Sequence, residues 1–168
     1  LAGIEIFSPA NDKIAEKLVD LTSSDPELRY IRFERSYPKI LDAFYSDLIV
    51  DKSSLNKGLY TIKQTPEKTY PNICIVSSGY MLGRALEVAE QLEIHGLNVS
   101  VVDLFKLKSI NLDYFAKTFC ECEIVITIEE QFLSGGLGSY VCETLADLEM
   151  QKKILRIGLP ERYIFENG

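Results

Sequence analysis

The sequence of 168 residues is poor in several things that functional sites need. It has one histidine, His95, no tryptophan, and no long apolar run. A single histidine excludes a histidine-based proton relay made by this chain alone, and no run approaches the roughly 18 apolar residues of a membrane span. Basic residues number 18 against 25 acidic ones, so the net charge of −7 disfavours a nucleic-acid or anionic-membrane surface.

Cysteine is also scarce. Cys74, Cys120, Cys122 and Cys142 lie in or beside apolar segments, where free cysteine behaves as a small hydrophobic residue. The pair at 120 and 122 lacks C-x-x-C spacing, so neither a disulfide framework nor a metal site is predicted. The N-terminus lacks the order of a signal peptide, and the predicted location is cytoplasmic. His95 precedes Gly96 and is better explained by a helix end than by catalysis.

What is present begins with a strand, a helix and a strand. Residues 3–9 form an apolar strand that ends at a proline, Asn11 is placed to cap the following helix, and residues 29–35 alternate as a second strand. The helix has an apolar face formed by Ile14, Leu18 and Leu21. Two strands and one helix cannot bury both faces of a sheet, so this piece must pack either on the rest of the chain or on segments outside this sequence.

The periodicity fails over residues 36–71, apart from a short strand at 59–62, and a domain boundary is predicted near residue 55. Beyond it strands and helices alternate: strands at 72–78, 97–104, 123–130 and 152–160, and helices at 81–95, 111–119 and 138–150. This pattern predicts a Rossmann-like α/β domain over 56–168, with a mostly parallel sheet and helices on both faces. A partial α/β domain over 1–55 precedes it.

The segment EEQFLSGGLGSY, residues 129–140, follows a strand and opens a helix. Glycines before a helix N-terminus suit a phosphate, because free N–H groups and the helix dipole attract an anion. The dinucleotide pattern, however, needs a third glycine where Val141 stands. Glu129 and Glu130 would also repel a pyrophosphate. A structural or interface loop is the alternative interpretation.

Three separated motifs carry a resemblance. VSSGYMLGRALEVAEQLEIHGLNVSVVDLFKLKSINLD, IVITIEEQFLSGGLGSYVCETLA and RIGLPERYIFENG resemble, in order and spacing, the C-terminal domain of the transketolase-like family of thiamine diphosphate enzymes. Within that family, transketolase and 1-deoxy-D-xylulose-5-phosphate synthase are the most similar members. GIEIFSPANDKIAEKLV and LRYIRFERS resemble the end of the family's pyrimidine-binding domain.

The resemblance implies a structural answer for the glycine segment, which in the family helps to build dimer and domain contacts. Glu129, Glu130, Gly135, Gly136 and Gly138 are therefore expected to be structural or interface residues. The complete enzyme would use thiamine diphosphate and Mg²⁺, but the motif for the diphosphate and metal is absent here. The expected partners are a second copy in a homodimer, or a part or subunit that carries the diphosphate-binding domain.

One substrate contact is also implied. Family members that act on sugar phosphates have an arginine at the end of the strand matched by YIRFERS, and Arg35 is the better match, with Arg32 as the alternative. A guanidinium offers two parallel donors to a phosphate. The synthase subgroup usually has Y-P-R-G here, and F-E-R-S departs from it.

The function implied is transfer of a two-carbon ketol unit between sugar phosphates by a transketolase-type enzyme, with this chain inactive by itself. The synthase that condenses pyruvate with glyceraldehyde 3-phosphate, and the beta subunit of a 2-oxo-acid dehydrogenase decarboxylase, remain open. A non-catalytic assembly module and a nucleotide-binding Rossmann domain are the alternatives outside this class.

Overall fold

The computed structural model describes residues 2–46, 51–64 and 72–163. In chain order the elements are β1 (Glu5–Phe7), α1 (Asp12–Ser24), β2 (Arg29–Ile31), α2 (Leu41–Tyr45), α3 (Lys52–Lys57), β3 (Tyr60–Gln64), β4 (Asn72–Ser77), α4 (Met81–Ile94), β5 (Asn98–Asp103), β6 (Lys106–Lys108), α5 (Leu112–Phe119), β7 (Ile124–Phe132), α6 (Leu137–Asp147) and β8 (Lys153–Leu159).

The larger sheet has five strands in the order β3-β5-β4-β7-β8. β4, β5, β7 and β8 are parallel, while β3 runs antiparallel to β5 at one edge. Helices connect the parallel strands because such strands need a long crossover. The predicted α/β fold with a mostly parallel sheet is confirmed.

The two faces of this sheet bury separate apolar clusters. In β4, Ile73 and Ile75 belong to the cluster that contains residues of α4, whereas Cys74 and Val76 belong to the cluster that contains residues of α5 and α6. Alternate side chains of a strand point to opposite faces, so an unbroken apolar strand is covered on both sides. Helices on both faces were predicted, and the structure has them.

A smaller sheet, in the order β2-β1-β6, joins the N-terminal piece to the rest of the chain. Its centre is the Glu5 carboxylate, which lies 2.6 Å from Lys106 Nζ and 2.7 Å from Arg29 Nε. Burial by itself would raise the pKa of Glu5, but the two cations outweigh it and lower that pKa. The first strand and helix thus pack on the rest of the chain, which is one of the two possibilities that the sequence left open.

Both predicted helix ends are present. Asn11 caps α1 by accepting a hydrogen bond from the Ile14 N–H at 3.1 Å, and the helix buries Ile14, Leu18 and Leu21. α4 ends at His95, and Gly96 follows with φ of +78°, a conformation that glycine adopts without strain.

The middle of the chain was predicted less well. β2 stops at Ile31 rather than at residue 35, and residues 36–57 contain α2 and α3 instead of an exposed connection. These helices have five and six residues, too few to show a helical period in the sequence. The boundary near residue 55 stays a prediction. The connection over 65–71 and the end of the last motif, 164–168, lie outside the described residues.

Candidate functional site

The glycine segment is built around the carboxylate of Glu129. This side chain lies in β7, is almost completely buried, and points at the first turn of α6. Its two oxygens accept hydrogen bonds from the backbone N–H groups of Leu137 at 2.7 Å and Gly138 at 2.9 Å. A helix N-terminus offers free N–H groups and a positive dipole end, and Glu129 satisfies both.

The same carboxylate decides between the two interpretations of the loop. A phosphate at this helix end would need the N–H groups that Glu129 already holds, so the phosphate interpretation is not supported by the geometry. The glycines are needed for close approach: a Cβ on Gly136 would lie 1.9 Å from Glu129 Oε2, and a Cβ on Gly138 would lie 2.6 Å from Thr127 Oγ1. The glycine segment is therefore a structural connection between β7 and α6, in which the Glu129 carboxylate occupies the N-terminus of the helix.

Arg156 of β8 holds the other side of the loop, and sequence reasoning missed it. Its guanidinium donates hydrogen bonds to the Leu133 carbonyl and, at 2.9 Å, to Ser139 Oγ. The Ser139 hydroxyl in turn donates to the Leu133 carbonyl at 2.8 Å. The available signal was an arginine inside an otherwise apolar strand, since a half-buried cation there needs acceptors.

A second polar cluster surrounds Arg32. Arg32 Nη2 lies 2.6 Å from Glu34 Oε1, 3.2 Å from Ser8 Oγ and 3.8 Å from Glu130 Oε1. Gly79, with φ of +57°, lies against this group: a Cβ there would be 3.0 Å from the Glu34 carboxylate and 3.3 Å from Ser8 Oγ. We call these five residues the junction cluster.

The junction cluster lies where the carboxyl ends of strands from both sheets meet. Ser8 directly follows β1, Arg32 directly follows β2, Gly79 comes two residues after β4, and Glu130 lies late in β7. Ligands of open α/β sheets bind at the carboxyl ends of the strands. The structure thus brings Arg32 and Glu130, 98 positions apart in the sequence, to the edge where a site is expected.

The two candidate arginines differ in their surroundings. Arg32 is half-buried, and its Nε has no hydrogen-bond partner among the described residues. Arg35 is exposed and forms no ion pair within the described part of the chain. The two glutamates differ as well, because Glu129 is buried in the loop while Glu130 is exposed and faces Arg32.

A third polar pair at this edge of the sheet was not predicted from the sequence. Asp103, the last residue of β5, is completely buried and accepts a hydrogen bond from the Tyr45 hydroxyl of α2, and its Oδ1 has no partner among the described residues. Burial raises the pKa of Asp103 to about 7, with the hydrogen bond from Tyr45 acting in the opposite direction. The sequence feature that could have indicated this pair is a single aspartate at the end of an apolar run.

The described residues contain no group of three or more histidine, cysteine or acidic side chains arranged to hold a metal ion. All four cysteines are free thiols. Within the same residues, no helix is both long enough and apolar enough to cross a bilayer.

Comparison with known proteins identifies the family. The profile of the family described as transketolase, C-terminal domain, matches residues 63–165. The chain is 29% identical over its full length to 1-deoxy-D-xylulose-5-phosphate synthase of Caldanaerobacter subterraneus, covering 25% of that protein. It is 32% identical over 98% of its length to the enzyme of the same name from Photobacterium profundum, covering 24% of it.

Among solved structures, one described as a split gene transketolase, inactive beta4 tetramer, superposes with a TM-score of 0.78 at 28% identity. The superposition covers 96% of this chain and 50% of the other. The chain therefore belongs to the transketolase C-terminal domain family, and the resemblance drawn from its three motifs is confirmed. It spans about a quarter of the length of the synthases that it matches.

Proposed function

We propose that this chain is the C-terminal part of a thiamine-diphosphate-dependent enzyme of the transketolase type, and that it supplies a contact to the phosphate of the substrate. The observation that carries the proposal is the position of Arg32 and Arg35 beyond the carboxyl end of β2, where ligands of open α/β sheets bind. The family membership supports the class of enzyme.

The cofactor itself is not expected to bind to the glycine segment. A diphosphate is an anion, and the helix end that would attract it is filled by the Glu129 carboxylate. The described residues also provide no metal-binding group. Within this proposal, thiamine diphosphate and Mg²⁺ are held by another part of the complete enzyme, and this chain by itself is inactive.

The role proposed for Arg35 and Arg32 follows from charge and exposure. Arg35 is exposed and unpaired within the described residues, so its guanidinium is available to a phosphate from solvent. Arg32 is held by Glu34 and Ser8, and its Nε is buried, so only its terminal nitrogens could contact a phosphate. A charge-assisted hydrogen bond of this kind contributes roughly 1.5 to 3 kcal/mol, or about 10- to 150-fold in binding.

Two reactions fit this arrangement. Transfer of a two-carbon ketol unit from a ketose phosphate to an aldose phosphate is the first candidate. The second is condensation of pyruvate with glyceraldehyde 3-phosphate, which is favoured by the names of the two synthases matched over nearly the whole chain. A decarboxylase beta subunit is a third member of the class, and it has no sugar phosphate to bind.

The test uses the complete enzyme that contains this chain. Activity is measured with xylulose 5-phosphate plus ribose 5-phosphate, and with pyruvate plus glyceraldehyde 3-phosphate. Arg35→Ala and Arg32→Ala should raise the KM for the sugar phosphate about tenfold or more while the affinity for thiamine diphosphate is unchanged. Arg84→Ala, which removes an exposed arginine from α4, is the control. An unchanged KM in both variants would remove the arginines from the site.

A further inference from the structure

Two of the four cysteines lie in contact at one face of the larger sheet. Cys74 is the third residue of β4, and Cys122 lies in the connection between α5 and β7. Both belong to the apolar cluster on the face of the sheet that α5 and α6 cover. Their thiol groups form a hydrogen bond with each other. The pairing of β4 with β7 thus brings together two thiols that are far apart in the sequence.

The two thiols differ in their access to solvent. Cys74 is 1% exposed and lies in the central strand of the sheet. Cys122 is 7% exposed and lines an open groove together with Asn72 and Lys152. The Lys152 ammonium donates hydrogen bonds to the backbone carbonyls of Cys120 at 3.0 Å and of Cys122 at 2.6 Å. A small oxidant that enters from solvent therefore reaches Cys122 first, beside a cation that favours the thiolate.

The surroundings of the two thiols also separate their acidities. The hydrogen bond from Cys74 and the charge of Lys152 lower the pKa of the Cys122 thiol, against the opposing effect of burial. The same hydrogen bond, together with burial, raises the pKa of Cys74. Because the thiolate is the reactive form of cysteine, Cys122 is the nucleophile of the pair, and Cys74 stays protonated beside it.

The positions of the two residues permit a bond between their sulfur atoms. To form a disulfide, the sulfur atoms must close from hydrogen-bond contact to about 2.05 Å. Cys74 is fixed by the pairing of β4 with both of its neighbours. Cys122 lies in the short connection over residues 120–123, outside helix and strand, so this connection can take up the movement. The sulfur of the exposed Cys120, in contrast, lies 3.1 Å from the Lys117 carbonyl.

We propose that Cys122 and Cys74 form a reversible thiol–disulfide site that hydrogen peroxide oxidises. The Cys122 thiolate attacks one peroxide oxygen, the O–O bond breaks and hydroxide leaves, which gives a sulfenic acid. The Cys74 sulfur then attacks the Cys122 sulfur, the S–O bond breaks, and the hydroxyl group leaves with the Cys74 proton as water. In total the two thiols lose two electrons and two protons, and the peroxide is reduced to two molecules of water.

This site is separate from the candidate substrate site. The cysteine pair lies toward the amino ends of β4 and β7, whereas the junction cluster lies at carboxyl ends of strands. The disulfide would tie the α5–β7 connection to the central strand of the sheet. Its formation is measured without substrate, so failure of the oxidation would leave the reaction proposed above untouched, and failure of the substrate assays would leave the thiol pair untouched.

The test is treatment of the reduced, native chain with equimolar hydrogen peroxide, followed by thiol titration after unfolding and by mass spectrometry. The number of titratable thiols should fall from four to two. The intact mass should fall by the mass of two hydrogen atoms, and a digest should contain a peptide pair joined through Cys74 and Cys122. Dithiothreitol should restore all four thiols.

Cysteine variants assign the two roles. The double variant Cys120→Ser/Cys142→Ser should form the same bond as the wild-type chain. In Cys74→Ala, Cys122 should stop at the sulfenic acid, which dimedone traps when it is present during the treatment. Cys122→Ser should leave Cys74 reduced. Circular dichroism checks that each variant is folded, and the wild-type peptide map decides the proposal even if one of them is not.

Four free thiols in the wild-type chain after the treatment would overturn the proposal. So would a bond that joins any other pair of cysteines, or oxidation of Cys74 in a folded Cys122→Ser variant.

Discussion

The hydroxyl of Tyr45 donates a hydrogen bond to the carboxylate of Asp103, and so ties the short helix α2 to the end of a central strand. The carboxylate has no cationic partner among the described residues. The titratable groups that interact electrostatically with it are Tyr45 of α2 and Tyr60 of β3. A buried carboxyl without a cation is held in its neutral form more readily than an exposed one.

This pair predicts how stability depends on pH. The pKa of Asp103 is about 7 in the folded chain, against roughly 3.9 for an unfolded aspartate. Since the folded pKa is the higher one, the group stabilises the fold at low pH, and that contribution is lost as the pH rises toward 7. The loss amounts to about 4 kcal/mol in total.

Asp103→Asn removes the titration while keeping the shape. The free energy of unfolding of the variant, relative to wild type, should therefore be higher at pH 7.5 than at pH 5. Urea denaturation at the two pH values measures this difference, and comparing variant with wild type cancels the titration of the other carboxylates. A difference that does not change with pH would show that Asp103 titrates normally.

A second prediction concerns the closed helix end. Glu129→Gln replaces one acceptor oxygen with an N–H₂ group, which would face a backbone N–H of Leu137 or Gly138. One buried donor then loses its partner, and we expect a loss of about 1 to 3 kcal/mol in the free energy of unfolding. Glu130→Gln, at the exposed neighbour, is the matched control for thermal or urea denaturation. Equal effects of the two variants would contradict the proposed role of Glu129.

The third prediction tests the close packing of the loop. A methyl group added at Gly138 would meet Thr127 Oγ1, Arg156 Nε and a Glu129 oxygen, all at less than 3.0 Å. Gly138→Ala should therefore destabilise the chain by about 1 to 3 kcal/mol through overpacking. Ser134→Ala, at an exposed position in the same loop, should have no measurable effect on the urea midpoint. If Gly138→Ala and Ser134→Ala have the same urea midpoint, the loop is packed less closely than in the structure.

The ion pairs that link the three strands of the smaller sheet give the fourth prediction. The Lys106 side chain is only 5% exposed, and its ammonium is paired with the Glu5 carboxylate. Glu5→Gln would leave Lys106 and Arg29 without their shared anion, and we expect the chain to lose about 3 kcal/mol of stability.

The control for that variant is Asp20→Asn, which breaks the exposed pair of Lys17 and Asp20. A surface pair of this kind should give no measurable change. Hydrogen exchange of the amides in β1 and β2 shows where the Glu5→Gln effect is felt. Protection in β1 that is equal to wild type would mean that other contacts hold the N-terminal piece.

Much of the α/β domain could be predicted because its signals are local. The apolar runs of β4, β5 and β7, the apolar face of α1 and the cap at Asn11 each depend on residues close together in the sequence. The short helices α2 and α3 could not be predicted in this way. Leu41, Tyr45 and Leu55 are buried by contacts with distant elements, and too few neighbours share a period with them.

The candidate site shows the same limit. The sequence placed Glu129 and the glycines beside a helix start, but it left open whether an anion or a side chain occupies that end. It also suggested Arg32 and Glu130 separately, with no means of bringing them together. Long-range pairing is set by how the two sheets pack, which no local pattern contains.

By itself, then, the sequence determined the alternation of strands and helices, the family and the candidate residues, because periodicity, caps and motif spacing are written in neighbouring positions. Only the tertiary structure decided that Glu129 fills the helix end, that Arg32 meets Glu130, and that Asp103 is buried against Tyr45. The reason is physical: hydrogen bonds, burial and charge pairing depend on distances in space, and the fold brings together groups that the chain holds far apart.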